Sequence, residues 1–183
     1  VLIKNNRIYN HKLARFYHTT YDVRRSEDVI NPRTPHCNVM LLADLRPNGA
    51  ESLNGAAIHP FLYGRVIGIY HVNVVYIGPG MKGYEAMRFD FLHIRWFQLD
   101  IAQAPGALQG RKYCDWASLR LDRLSFPPMA GRGSFSFVDP KLVLRGCHLI
   151  PAFSSGKSRP DGIGLSKMSK DSNDWTYYYV NRF

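Results

Sequence analysis

No stretch of this chain sustains an apolar period of 3.6 residues for more than two turns, and that limits its fold more than any other feature. Its apolar and aromatic residues fall in short runs bounded by Gly, Pro, Asn and Ser: "RFYHTTYDVR" (15–24), "CNVMLLA" (37–43), "FLYGRVIGIYHVNVVYIGPG" (61–80), "RFDFLHIRWFQ" (88–98), "SLRLDRLSF", "GSFSFV", "RGCHLIPAF" and "DWTYYYV". Runs of this length, rich in β-branched and aromatic residues, read as strands. "NPRTP", "GPGMKGYEAM" and the "PP" after "SLRLDRLSF" supply the breaks. The chain should therefore be mainly β, a small and strongly bent antiparallel sheet or open barrel with few short helices. One such helix is expected at "DPKLVL", with Asp139 as N-cap and Pro140 at the first helical position. Residues 1–58 should supply one or two strands and a polar loop leading into a β domain over 59–183.

Two runs change phase. In the fourth, Phe89 and Phe91 give way to Leu92, Ile94 and Trp96; in "SLRLDRLSF", Leu119 and Leu121 give way to Leu124 and Phe126. A period-two strand that switches phase carries a bulge or moves from one packing partner to another. Trp96, in phase with Leu92 and Ile94, is expected to be largely buried. The charges within the third and fourth runs, Arg65, His93 and Arg95, are expected on an outer or rim face with their stems covering aromatic rings.

The surplus of 24 Lys and Arg over 14 Asp and Glu, a net +10, favours a polyanionic partner. The loop from Ser154 to Ser172 concentrates Lys157, Arg159, Lys167 and Lys170 among glycines and serines, and Arg111 and Lys112 lie in a second Gly-rich connection. These six are the candidate nucleic-acid contacts. No apolar run is long enough to span a bilayer, so no membrane partner is expected. Cys37, Cys114 and Cys147 are odd in number and form no CxxC pair, which points to free thiols in a reducing, intracellular setting. His36-Cys37 and Cys147-His148 would each offer a site only one ligand, because strand neighbours face opposite ways. Neither a metal nor another cofactor is expected, nor a small-molecule substrate. Since Val1 is not Met and the chain stops in an aromatic run, it is expected to be part of a longer protein.

Catalysis is not expected within these residues. Glu27, Glu51 and Glu85 lie in or beside expected loops, and Asp90 and Asp122 have Arg88, Arg120 and Arg123 as neighbours, so ordinary ion pairs explain them. "GPGMKG" joins two strands and does not open a helix, which makes it a hairpin turn and not a phosphate cradle. No "GxSxG" or comparable motif positions a nucleophile.

The order "YGRVIGIYHV", "FLHIRWFQ", "FSFVDPKLVLRGCHLIPAF" and "DWTYYYVNRF" resembles the bromo-adjacent homology (BAH) domain, over roughly residues 59–183. Arg65, "IRWF" at Ile94 to Phe97, "VDPKLVLRGCHLIP" and Tyr177 to Tyr179 occupy the places of that family's motifs. The resemblance implies a bent β domain of chromatin proteins and a partner groove at Tyr63, Trp96, Gln98 and Tyr177. Gln98 stands where an aromatic would complete a methyl-lysine cage. Longer runs, "TTYDVRRSEDVINPRTPHCNVMLLAD", "GRVIGIYHVNVVYIGPG" and "LRGCHLIPAF" with "DWTYYYVNRF", resemble the C-terminal region of fungal DNA-transposon proteins of the Plavaka type. That second resemblance implies an RNase H-like transposase core elsewhere in the parent protein. Together they imply a nuclear, non-catalytic module that binds DNA or a nucleosome. The alternatives are a module that docks on the catalytic core of its own parent and, third, part of a nuclease or transposase active domain.

Overall fold

The computed structural model describes residues 1–20, 22, 24–43, 59–81, 83–100 and 121–181, with the backbone of 115–116. It is mainly β, built of small antiparallel sheets that do not close into a barrel, without a helix of seven or more residues among the described residues. No described helix is long and apolar enough to cross a membrane.

The organising element is β5 (Phe61–Val75), a 15-residue strand paired along one edge with β6 (Met87–Trp96). Its other edge is shared by β4 (Asn38–Leu42), opposite Phe61 to Arg65, and by β1 (Leu2–His11), opposite Ile69 to Val75. β10 (Phe135–Val138) and β11 (Val143–Gly146) extend this sheet beyond β6 and β4. A hairpin of β2 (Ala14–Thr19) and β3 (Arg25–Ile30) lies next to β11. A second sheet runs β12 (His148–Pro151), β13 (Tyr178–Asn181), β9 (Leu121–Ser125), β7 (Gln98–Leu99), with β8 (Asp115–Trp116) also on β9.

Around β4 both faces of the first sheet are covered, and the alternation of β4 shows how. Val39 and Leu41 enter one core with Ile30, Val66, Ile69, Leu92 and Ile94; Met40 enters another with Tyr63, Phe97, Leu124, Tyr178 and Val180. A strand buried on both faces reads as an unbroken apolar run. This is why "NVMLL" shows no alternation.

The expected phase change of β6 is a change of packing partner, whereas a bulge occurs on β5, where no phase change was expected. On β5 the register slips between Val66 and Gly68 opposite Ile94 and His93, so Ile67 is the extra residue of a bulge. The bulge carries Val66 and Ile69, an odd number apart, to the same core. On β6 the ladder is continuous, and the change of phase is a change of packing partner. Leu92 and Ile94 face the first core, whereas Phe91 faces the opposite way and stacks on Tyr70 with ring centroids 5.6 Å apart. β9 likewise changes partner, from β8 at Leu121 to β7 at Leu124.

Two expectations about strands need correction. Residues 1–45 contribute four strands, not one or two, and the strand expected over 15–24 ends at Thr19, as the first arm of the β2–β3 hairpin. β1 is exposed almost throughout and β3 is polar up to Val29 and Ile30, so neither carries an apolar pattern to read. The short helix is present as a 3-10 turn over Pro140–Leu142, where Asp139 accepts a hydrogen bond from the Lys141 N–H at 2.9 Å.

Candidate nucleic-acid interface

The segment from Ser154 to Ser172 is held in shape by its own carboxylate. Asp171, 2% exposed, accepts from the N–H groups of Leu165 (2.7 Å) and Ser166 (2.9 Å) and from the Ser169 hydroxyl (3.1 Å), and it pairs with Arg159 at 3.1 Å. Burial works to raise its pKa, but the backbone donors outweigh burial and hold the carboxyl at about 2. Glycine is needed at 164, where a Cβ would come within 2.8 Å of Asp171 Oδ1 and 2.9 Å of the Ser172 nitrogen.

A second carboxylate fastens the segment to the sheet. Asp174, also 2% exposed, accepts from Arg65 on Oδ1 and from Arg95 on Oδ2, each at 2.5 Å. Arg95 Nη1 also reaches the Ser169 carbonyl at 3.3 Å, and both guanidiniums lie over the Phe126 ring, at 4.6 and 3.7 Å from its centroid. Arg95 is 4% exposed, so the expected rim position of these arginines is corrected. They lie inward because one carboxylate and one aromatic face satisfy both. Asp122 accepts from Tyr63 at 2.8 Å and pairs with His59 at 3.0 Å, its neighbour Arg120 lying outside the described residues, while Asp90 pairs with its neighbour Arg88 at 2.6 Å as expected.

The six candidate basic residues therefore separate. Arg111 and Lys112 lie outside the described residues. Arg159 is half-buried on Asp171, and Lys157 is exposed, its backbone bridged to Trp175. Lys167 and Lys170 are exposed and line one concavity of about 170 Å³ with Asn10, His11, Lys12, Pro32, Arg33, Ile67, Gly68 and Met168. Lys12 and Arg33, which no local motif distinguished, are thus brought beside the loop by the fold. The four cations share this wall with no carboxylate, and none of the four forms an ion pair among the described residues. Lys170 Nζ donates to the Pro32 carbonyl, which positions its charge without neutralising it.

The four residues expected to form a partner groove do not line one surface. Tyr63 is 2% exposed in the second core with its hydroxyl spent on Asp122, whereas Trp96 packs on the first core. Trp96 is only partly buried, short of the burial expected, because its indole N–H reaches out to Ser136 Oγ at 2.6 Å. Gln98 is exposed and donates to Ser125, and the half-buried Tyr177 carries the Arg123 guanidinium over its ring at 4.6 Å.

The described cysteines are ill-suited to nucleophilic chemistry. Burial raises the Cys37 thiol and pushes Cys147 up to about 12. Cys114 lies outside the described residues. One group among the described residues has metal-ligand chemistry: His11, His71 and Asp90. Its members come from three strands, so no spacing along the sequence reveals it. Comparison with family models, with curated proteins and with solved structures found no match.

Proposed function

We propose that this chain is a non-catalytic DNA-binding module of a transposon-derived nuclear protein, engaging the phosphate backbone along the concavity lined by Lys12, Arg33, Lys167 and Lys170. The observation that carries this reading is the convergence of four exposed cations from three separate segments with no carboxylate among the lining residues. Backbone contacts of this kind supply affinity without sequence information. The resemblance of the longer runs to the ends of transposon proteins, and the net +10, point the same way.

The test is a duplex-DNA titration at several salt concentrations, comparing the unmutated chain with Lys12→Gln, Arg33→Gln, Lys167→Gln and Lys170→Gln combined. The combined variant should bind more weakly, and its log-log salt slope should fall by about 0.9 for each phosphate it no longer neutralises. Its unfolding should change little, because exposed charges contribute little to stability. Lys157→Gln, outside the concavity, is the control. An unchanged salt slope in the combined variant would refute the reading.

A second reading, docking on a protein such as the catalytic core of the parent, has its own observation. Phe89 and Phe137 are 50% and 67% exposed, beside Phe91, Tyr70 and His93 on one face of β5, β6 and β10. Loss of core binding in Phe89→Ser with Phe137→Ser, and no DNA affinity at low salt, would favour it.

A further inference from the structure

Three adjacent strands place two imidazoles and a carboxylate on one face of the first sheet. His71 on β5 stands opposite Tyr9 of β1 on one side and opposite Asp90 of β6 on the other, while His11 lies two residues beyond Tyr9. The His11 Nε2 and His71 Nδ1 atoms approach to 2.6 Å, and one ligand atom from each of His11, His71 and Asp90 falls within 4.8 Å of the others. Tyr9 stacks on the His71 ring at 4.6 Å and 7°, which fixes the ring plane. Two neutral imidazole nitrogens that meet head-on share one proton in an N–H···N hydrogen bond, and a metal ion held between them would take that proton's place.

We propose that His11, His71 and Asp90 form a binding site for a borderline divalent transition metal of the zinc class. Two imidazoles and one carboxylate suit zinc and leave a coordination position for water. Around a zinc ion with bonds of about 2.0 to 2.1 Å, neighbouring ligand atoms lie roughly 3.3 Å apart. The two imidazoles must then part slightly and the carboxylate swing inward, both within reach of side-chain rotation.

Arg88 is the group that opposes metal. Its Nε and Nη2 hold both oxygens of Asp90, at 2.6 to 3.1 Å, and place a positive charge beside the site. A zinc ion would compete with this guanidinium for the carboxylate. Bound metal would tie β1 to β5 and β6, and β1 is the strand that most needs a tie. It is exposed almost throughout, and its ladder slips between Ile3 and Ile8, where Asn5 and Asn6 adopt φ of 58° and 49°.

The experiment is a zinc chloride titration against a chromogenic chelator near neutral pH, without DNA, on the unmutated chain and on His11→Gln, Asp90→Asn and Arg88→Gln. The unmutated chain should bind one zinc per chain and melt at a higher temperature with zinc than without. His11→Gln and Asp90→Asn should each weaken binding by about tenfold or more, as expected for loss of a ligand. Arg88→Gln should tighten it, by about threefold to tenfold, through removal of the competing charge. A misfolded variant cannot mimic that gain. Zinc affinity equal in His11→Gln, Asp90→Asn and the unmutated chain would overturn the site, as would the absence of stoichiometric binding. An Arg88→Gln variant with unchanged or weaker affinity would remove Asp90 as a ligand and the three-residue site with it. None of these outcomes depends on whether the chain binds DNA.

Discussion

Arg65 and Arg95 stand directly opposite each other on β5 and β6, two like charges in a cross-strand pair, and both turn inward. Like charges so placed repel. Asp174 removes the conflict by giving one oxygen to each, and Tyr178 adds its hydroxyl, which accepts from Arg65 at 3.2 Å. Burial disfavours the charged form of Arg65, but the carboxylate more than compensates and its pKa rises. The strand charges are therefore a fastening between the first sheet and the segment that leads into β13.

Asp174→Ala should be severely destabilising. It strands two guanidiniums in a buried site, and breaking a buried ion pair by removing one partner costs about 3 to 5 kcal/mol. Denaturant unfolding would measure the loss. A cost under about 1 kcal/mol, the worth of an exposed pair, would mean that the arginines find water instead.

Asp171 should make the fold acid-sensitive. Its folded pKa of about 2 lies below the ordinary value of about 3.9, so its stabilising effect is complete above pH 4 to 5 and is lost as pH falls through 2. At neutral pH the difference is worth about 2 to 3 kcal/mol. Asp171→Asn should be less stable than the unmutated chain by that order at pH 7, and the two should converge as pH approaches 2. Unfolding curves at several pH values would show parallel lines if Asp171 has no such role.

Gly64→Ala should be destabilising although alanine is no worse a strand residue. An added Cβ would come within 2.3 Å of Ile94 Cγ2, a methyl fixed in the first core, and 3.2 Å of the Trp96 ring. Overpacking of this kind costs about 1 to 3 kcal/mol. A melting temperature equal to that of the unmutated chain would show that the two strands part without penalty.

In a Cys114→Ser background, Cys37 and Cys147 should react slowly with a thiol reagent at pH 8. Burial raises both thiols and so keeps the reactive thiolate scarce. Denaturant should release two rapidly reacting thiols per chain. Rapid reaction in the folded state would place at least one of them at the surface.

Most strands, and the turn at Asp139-Pro140, could be located before any tertiary contact was known, since both follow from local sterics, period-two apolar patterning and short-range hydrogen bonds. "FLYGRVIGIYHVNVV" and "FLHIRW" needed no partner to be recognised as strands. Which charges are buried and which face solvent follows from the pairing of distant segments. Asp174 lies 109 residues from Arg65 and 79 from Arg95, and no spacing rule links them. Arg159 and Lys167 look alike as members of one basic loop, yet one is held by Asp171 and the other is left facing the concavity with Lys12 and Arg33. The physical reason is that a residue's secondary structure depends on its neighbours in the chain, whereas the state of its charge depends on the nearest opposite charge and on access to water. Both are products of how distant strands pair.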